Sequence, residues 1–239
     1  GYASDLDIVF LYDDAPETAE IYSRLGQRVN TWLSSRTAAG QLFETDLRLR
    51  PNGESGLLVS SLESFRRYQL ESAWVWEHQA LTRARFAAGD PALGRHFEAI
   101  RLEVLCQRRD VDTLREEIRA MRQKMMDAHG RQSLRFDLKH DRGGLIDVEF
   151  LVQYLVLGHA HAHPELAANI GNIALLRLAG ELGLVDAQLA QRCADSYREL
   201  RRLQHRQRLN DLPSRVPAES VEALREPTVA LWTAVFAEG

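Results

Sequence analysis

The pattern of hydrophobic and polar residues changes along the chain and predicts two kinds of element. Short apolar or alternating runs at 8–12, 43–50 and 56–59 are typical of strands. Between the first two runs, residues 17–35 carry apolar side chains at helical spacing, which predicts an amphipathic helix. The strands therefore cluster at the beginning of the chain.

Helical periodicity dominates the rest of the sequence. The predicted helices are separated by glycine- and proline-containing breaks and span 61–72, 74–87, 91–107, 111–129, 144–161, 170–181, 186–209 and 218–236. Strands followed by helices, without regular alternation, indicate the α+β class, with a mixed β-sheet core and then an all-α helical bundle. We expect a domain boundary that gives residues 1–105 and 106–239.

Composition narrows the classes of protein and partner. The chain has 239 residues, 45% hydrophobic and 27% charged, as is ordinary for a globular protein. Its net charge of −4 provides no positive field, so nucleic acid is not expected as a partner. No apolar run approaches the ~20 residues that cross a membrane. Cys106 and Cys193 lie outside any CxxC motif, which indicates free thiols in a reducing compartment, the cytoplasm.

Two acidic residues, Asp5 and Asp7, stand at the start of the first strand. Because side chains alternate along a strand, both carboxylates are expected on one side, with their Cα atoms about 6.5–7 Å apart. Such a pair repels unless it takes up a proton or a cation, and oxygen ligands favour Mg²⁺ or Mn²⁺. Two solvated acids at a strand edge are the alternative, although the apolar run that follows is a poor place for idle charge.

The second predicted strand adds a third carboxylate and two guanidinium groups. Alternation within 43–50 places Asp46, Arg48 and Arg50 on one face. If the strands are neighbours, Asp46 can join the first two aspartates as a metal ligand, and the arginines can bind phosphate oxygens. The alternative is an edge strand with salt-bridged charges. Three carboxylates beside arginines suit phosphoryl or nucleotidyl transfer with bound metal ions.

Four sequence blocks, in order, resemble the bifunctional glutamine synthetase adenylyltransferase/adenylyl-removing enzyme family. They are SDLDIVFLYD from Ser4, ETDLRLRPNGESGLLV from Glu44, WEHQALTRAR from Trp76 and FDLKHDRGGLIDVEFLVQY from Phe136. Any one block is a weak signal, but four in the same order are specific. The resemblance runs to about residue 157, and its details are similar to the carboxyl-terminal, adenylylating half of that family.

The resemblance implies a fold, an activity and a set of partners. It implies a nucleotidyltransferase-type core, ATP as the donor, Mg²⁺ or Mn²⁺ as the cofactor, and a tyrosine hydroxyl of glutamine synthetase as the acceptor, with pyrophosphate leaving. It also implies regulation by a PII-type signalling protein and by glutamine, within the control of nitrogen assimilation. The alternatives are the family's other activity, phosphorolytic removal of AMP, and a non-catalytic regulatory or docking module.

The motifs also imply residue roles. Asp5 and Asp7 match the metal-binding pair, and Asp46 matches the third carboxylate, which is also a candidate base for the tyrosine hydroxyl. Arg48 and Arg50 match the LRLRP block as triphosphate contacts. The hydroxyl of Ser4 is expected as a further phosphate contact. The family carries two small residues upstream of the acidic pair, and this chain begins after them, so we expect part of the first domain to be missing and ATP binding to be weak.

Three weaker features are left open. Lys139 and Arg142 flank a turn before the helix at 144–161, where they are either phosphate contacts or parts of a plain loop. Asp147, in the first turns of that helix, is expected to be structural. Arg83 is expected on the helix at 74–87, two residues from another arginine, so at most one of the pair should reach the site.

Overall fold

The computed structural model describes residues 4–13, 18–41, 43–129 and 135–237, so the predicted helix start at position 17 lies outside the described residues. The predicted α+β class is confirmed: helices predominate, and the strands form small two-stranded sheets. The chain divides into two compact units, Gly1–Val104 and Leu105–Gly239.

The first unit contains two parallel strand pairs and one hairpin. The strands of this unit, in chain order, are β1 (Leu6–Asp7), β2 (Phe10–Tyr12), β3 (Arg36–Thr37), β4 (Gly40–Gln41), β5 (Thr45–Asp46) and β6 (Val59–Ser61). β1 pairs with β5 and β2 pairs with β6, both in parallel, whereas β3 and β4 are antiparallel. Parallel neighbours require a crossover connection, and here the crossover contains a helix.

The described residues of the first unit also form four helices. They are α1 (Ala19–Ser34), α2 (Leu62–Glu71), α3 (Val75–Leu81) and α4 (Pro91–Leu105). α1 lies close to the strands at Gly26, where an added Cβ would come within 3.3 Å of Val59 and 3.4 Å of Phe10. Glycine at this position lets the helix that connects β2 to the later strands pack directly on them.

The predicted strand at 43–50 is too long, because the structure ends it at Asp46. The Asp46 carboxylate accepts a hydrogen bond from the backbone N–H of Arg48 at 2.8 Å, and Arg50 N donates to the Leu47 carbonyl at 3.3 Å. An aspartate that bonds to the backbone two residues ahead turns the chain out of a strand. The bounds of the other predicted strands differ as well. In place of the strand at 8–12 the structure has β1 and β2, and in place of the strand at 56–59 it has β6.

The predicted helix at 74–87 is also too long, since α3 ends at Leu81. The cause is a buried guanidinium on α4: Arg101 donates from Nε to the Leu81 carbonyl at 2.8 Å and from Nη2 to the Thr82 carbonyl at 2.7 Å. The last carbonyls of a helix need partners other than helical N–H groups, and here a side chain supplies them. Arg83 therefore lies beyond the helix, in a turn.

The second unit is a helical bundle with one short antiparallel strand pair. Its elements are α5 (Val111–His129), β7 (Phe136–Asp137), α6 (Leu145–His159), α7 (Asn172–Glu181), α8 (Ala187–Leu209), β8 (Arg215–Val216) and α9 (Glu222–Phe236). Twelve of the 15 residues of α6 are buried, because the helix carries apolar side chains on all sides and α5, α7, α8 and α9 pack against it. Among the described residues, no helix is both long and apolar enough to cross a membrane.

A buried ion pair connects α5 to the beginning of α6. Arg122 and Asp147 are 2% and 4% exposed, and Arg122 Nε lies 2.5 Å from Asp147 Oδ1. The other carboxylate oxygen accepts the backbone N–H of Gly143 at 2.6 Å, and Arg122 Nη2 donates to the His140 carbonyl at 2.7 Å. Through these contacts Asp147, in the first turn of α6, holds the preceding turn and α5 in position, in agreement with its expected structural role.

Candidate functional site

The first unit brings Asp5, Asp7 and Asp46 together. One carboxylate oxygen from each residue lies within 4.8 Å of the others. Asp5 and Asp7 are exposed and Asp46 is half-buried, so the cluster is open to solvent on one side. Two segments about forty residues apart in sequence therefore meet as the sequence analysis predicted.

Backbone pairing between β1 and β5 sets this geometry. Leu6 N donates to the Glu44 carbonyl at 2.8 Å, and Ile8 N donates to the Asp46 carbonyl at 2.9 Å. Asp7 and Asp46 are direct partners across the pair. Side chains of facing residues on neighbouring strands project to the same side of a sheet, so pairing places two carboxylates next to each other.

Arg48 neutralises one of the three charges. Its Nε donates to both oxygens of Asp46, at 3.0 and 2.9 Å, and its Nη2 forms an ion pair with the same carboxylate. This hydrogen bonding holds the pKa of Asp46 below its ordinary value. The Arg48 side chain is itself 68% exposed, so its guanidinium stays solvated when it leaves Asp46, whereas the Asp46 carboxylate, 14% exposed, then needs another cation as its partner.

Asp7 is the aspartate of the cluster whose pKa is raised. Burial raises the pKa of Asp7, and the negative charges of Asp5 and Asp46 raise it further, whereas Arg83 and Arg48 act in the opposite direction. The positive charge of Arg83 thus acts on Asp7, and the prediction that one arginine of the pair reaches the site stays a prediction. A carboxylate that is crowded by two others is a group that a bound cation would stabilise.

Arg50 has a different set of partners from the one expected on a strand face. Its guanidinium donates to the carbonyls of Leu47 at 2.7 Å, Glu54 at 3.1 Å and Gly56 at 3.3 Å. These bonds hold the loop that follows β5. The expectation that Arg50 shares a strand face with Asp46 is wrong, because the strand has ended; its contact with triphosphate stays a prediction.

An open cleft of about 590 Å³ borders the aspartate cluster. Its volume lies in the usual range for small-molecule sites. The charged side chains that line it include four carboxylates and two guanidiniums, those of Asp5, Glu44, Asp46, Glu54, Arg48 and Arg50. This excess of negative charge would repel a nucleoside triphosphate unless cations were bound with the triphosphate.

The donor set fits the hard cation that the sequence predicts. It consists only of carboxylate oxygens, which suit Mg²⁺ or Mn²⁺ better than zinc. The remaining predicted phosphate contacts are found in both units. Ser4 directly precedes Asp5, while Lys139 and Arg142 are exposed on the turn between β7 and α6 of the second unit. Their roles as phosphate contacts stay predictions.

Comparison with known proteins gives the family context of this site. Residues 1–100 match the family model of glutamate-ammonia ligase adenylyltransferase, and residues 113–213 match that of GlnD PII-uridylyltransferase. The bifunctional glutamine synthetase adenylyltransferase/adenylyl-removing enzyme of Aromatoleum aromaticum is 73% identical over 237 residues, which cover 99% of this chain and 25% of the relative. The predicted resemblance to this family is confirmed.

More distant relatives with the same description give the same result. That of Nitrosomonas europaea is 56% identical over 99% of this chain and 27% of its own length, and that of Bordetella bronchiseptica is 55% identical over 100% and 26%. The chain spans about a quarter of the length of the curated relatives it matches.

One polar contact beside the site is not predictable from the sequence. Asn30 on α1 lines the cleft, and its Oδ1 accepts a hydrogen bond from the Thr45 hydroxyl at 2.7 Å. This contact ties the helix to β5 one residue before Asp46. A single asparagine on the polar side of a helix carries no signal in the sequence that would distinguish it from a solvated residue.

The raised pKa of Asp7 predicts pH-dependent binding of Mn²⁺ to the cluster. Below this pKa a proton competes with the ion, so affinity should fall as the pH decreases through it, and binding should release protons. In the ion-free protein the proton on Asp7 favours the folded state. That contribution to stability is therefore present at low pH and is lost as the pH rises above 3.8, the ordinary value, through the raised pKa.

Calorimetric titration with Mn²⁺ at several pH values and in buffers of different ionisation enthalpy measures both quantities. The Asp7→Asn variant serves as the control, since its residual affinity should lose this proton linkage. An affinity in the unaltered protein that does not change over the same pH range would contradict the prediction.

Proposed function

We propose that the chain carries the adenylyl-transferring site of a bifunctional glutamine synthetase adenylyltransferase/adenylyl-removing enzyme, in its carboxyl-terminal half. The site would transfer AMP from ATP to a tyrosine hydroxyl of glutamine synthetase and release pyrophosphate. The observation that carries this proposal is the meeting of Asp5, Asp7 and Asp46 beside an open cleft. The names of the relatives supply the substrate.

The three aspartates are the residues that would hold the metal. When bound, Mg²⁺ or Mn²⁺ supplies charge neutralisation to the triphosphate and to the charge that develops during transfer. Asp5 and Asp46 line the cleft, Asp7 is exposed, and the β1–β5 pairing places Asp7 opposite Asp46. Carboxylates fixed by backbone pairing need little rearrangement on binding, which favours catalysis.

Arg48 is the side chain best placed to respond to a nucleotide. While it is bonded to Asp46, the lowered pKa of that carboxylate makes it a poor base. We propose that Arg48 turns from Asp46 to the phosphates, which attract a guanidinium bidentately. Asp46 would then be released as a ligand and as an acceptor for the tyrosine proton.

The transfer step conserves atoms and charge with these residues. The tyrosine oxygen forms a bond to the α-phosphorus, and the bond from that phosphorus to the oxygen bridging the β-phosphate breaks. Pyrophosphate takes the bonding electron pair, while the hydroxyl proton passes to a carboxylate, for which Asp46 is the candidate. Ser4, Arg48, Arg50, Lys139 and Arg142 are the proposed phosphate contacts of this chain.

Regulation and location follow from the same family context. The match of residues 113–213 to a family named for PII uridylylation supports a PII-type signalling protein as a regulator. We propose, too, that glutamine modulates the activity and that the protein works in the cytoplasm, where the thiols of Cys106 and Cys193 remain reduced.

The proposal is tested by incubating full-length protein with α-labelled ATP, Mg²⁺ and unmodified glutamine synthetase. Label on a glutamine synthetase tyrosine is the expected result. The rival activity, phosphorolysis, predicts instead that adenylylated glutamine synthetase and inorganic phosphate yield ADP at this site. Binding of glutamine synthetase with neither reaction, and with no Mg²⁺-ATP binding, would favour a docking module and overturn the proposal.

A further inference from the structure

We propose that His129, Asp137 and His140 form a second metal site, in the helical unit, for a divalent late-transition ion of the zinc type. One ligand atom from each of the three lies within 4.8 Å of the other two. His129 ends α5, Asp137 lies on β7 and His140 follows in the turn before α6. The cluster shares no residue with the three aspartates of the first unit.

The distances in the cluster suit tetrahedral coordination. Asp137 Oδ2 lies 3.4 Å from His129 Nε2, and Asp137 Oδ1 lies 3.2 Å from His140 Nδ1. Zinc bonds to nitrogen and oxygen of about 2.0–2.1 Å place neighbouring tetrahedral ligands about 3.3 Å apart. The two imidazole rings stack with centroids 4.0 Å apart and an angle of 22°. Their nitrogens contact different oxygens of Asp137, so a shift of the side chains has to bring them to one ion.

The carboxylate of this cluster is fixed by the backbone. Asp137 Oδ1 accepts the backbone N–H groups of Lys139 at 2.9 Å and of His140 at 3.0 Å. Asp137 also pairs with Arg215 across β7 and β8, and its own N–H donates to Asp141 Oδ2 at 2.8 Å. Hydrogen bonds that orient a metal ligand before the ion arrives are typical of protein metal sites.

The chemistry of the ligands selects the class of ion. Two imidazole nitrogens and one carboxylate oxygen suit Zn²⁺, or Co²⁺ as its spectroscopic substitute, whereas Mg²⁺ and Ca²⁺ prefer oxygen alone. Three protein ligands leave one position of a tetrahedron for water or for a ligand from outside. The side chains of His129, Asp137 and His140 are 26%, 13% and 29% exposed, so the cluster is shielded but reachable.

The competing explanation is a hydrogen-bonded network without an ion. Arg215 Nε lies 3.6 Å from Asp137 Oδ2 and, together with the imidazoles, offers that carboxylate partners. The two explanations differ in a measurable way. A hydrogen-bonded network gives no reason for stoichiometric zinc binding, whereas a metal site should bind one ion per chain and connect the end of α5 to β7.

The test uses the whole chain with the aspartate cluster silenced by Asp5→Asn and Asp7→Asn, so that failure of the proposed function does not affect it. Chelator-treated protein is titrated with Zn²⁺ against a chromogenic competitor, and then with Co²⁺ to record the visible absorption of tetrahedral cobalt. We expect one ion per chain, a higher melting temperature with Zn²⁺, and affinity at least about 100-fold weaker in His129→Gln and in His140→Ala.

His161→Ala is the matched control, because His161 is an exposed histidine of the same unit and should leave the affinity unchanged. Asp137→Asn retains an oxygen for the backbone N–H groups while removing the charge, so it separates loss of binding from loss of folding. Circular dichroism in chelator verifies that each variant is folded. Zinc affinity that is equal in the Asp5→Asn, Asp7→Asn chain and in folded variants of it that also carry His140→Ala or Asp137→Asn would overturn the proposal.

Discussion

Asp7→Asn is expected to lower the rate of adenylyl transfer to glutamine synthetase by roughly 10²–10⁴-fold, which corresponds to about 3–5 kcal/mol of transition-state stabilisation. Asp7 lies opposite Asp46 and within the same carboxylate cluster as Asp5, so its loss removes one ligand of the proposed metal site. Initial rates with labelled ATP measure the effect, at Mg²⁺ concentrations high enough to saturate the unaltered protein.

Stability separates this effect from unfolding. Because Asp7 is crowded by two like charges, its replacement by a neutral side chain should leave the ion-free protein as stable as before or stabilise it by about 0.2–1 kcal/mol. Glu71→Gln, which removes an exposed carboxylate at the end of α2, is the control and should keep full activity. An Asp7→Asn variant with more than about a tenth of the normal rate would refute the assignment of Asp7 as an essential ligand.

Asp147→Ala is expected to destabilise the helical unit by about 3–5 kcal/mol, since it leaves the guanidinium of Arg122 buried without its counter-charge. The backbone N–H of Gly143 loses its acceptor in the same substitution. Hydrogen exchange of the α5 and α6 amides in increasing urea measures the loss within this unit, independently of the first one.

A double replacement distinguishes the cost of an unpaired charge from the value of the pair. Arg122→Met combined with Asp147→Leu should be less destabilising than Asp147→Ala alone, because no charge stays buried. Asp195 and Arg198 form an exposed pair on α8, and Arg198→Ala should change stability by less than about 1 kcal/mol. If Asp147→Ala were as mild as Arg198→Ala, the ion pair would not be a major structural element.

Helices were predicted more accurately than strands, for a physical reason. The bounds of α5, α6 and α8 differ from the predicted ranges by two residues or fewer at each end, because helical hydrogen bonds and amphipathic spacing are local properties. Strand bounds depend on partners that are distant in sequence, and β1 pairs with β5 while β2 pairs with β6. The first predicted strand, which begins at Asp5 and Asp7 and includes the apolar run 8–12, is thus divided between two partners.

The positions of the aspartates in the candidate site were predicted better from the sequence than those of its arginines. Alternation along a strand is enough to place Asp5 and Asp7 on one side, and the structure brings the predicted third carboxylate, Asp46, next to them. The partners of Arg50 depend on the loop that follows β5, whose carbonyls it bonds. The position of Arg83 depends on Arg101, which ends α3 from another helix.

The α+β class, the order of the elements, the acidic residues of the site and the family resemblance could be predicted from the amino-acid sequence, because these depend on local periodicity and on residue identity. The folded chain was needed to show which strands pair, where α3 stops, which arginine neutralises Asp46, and that two histidines converge on Asp137. The physical reason is that pairing, capping and ligand convergence join residues far apart in sequence, and their geometry exists only after the chain has packed.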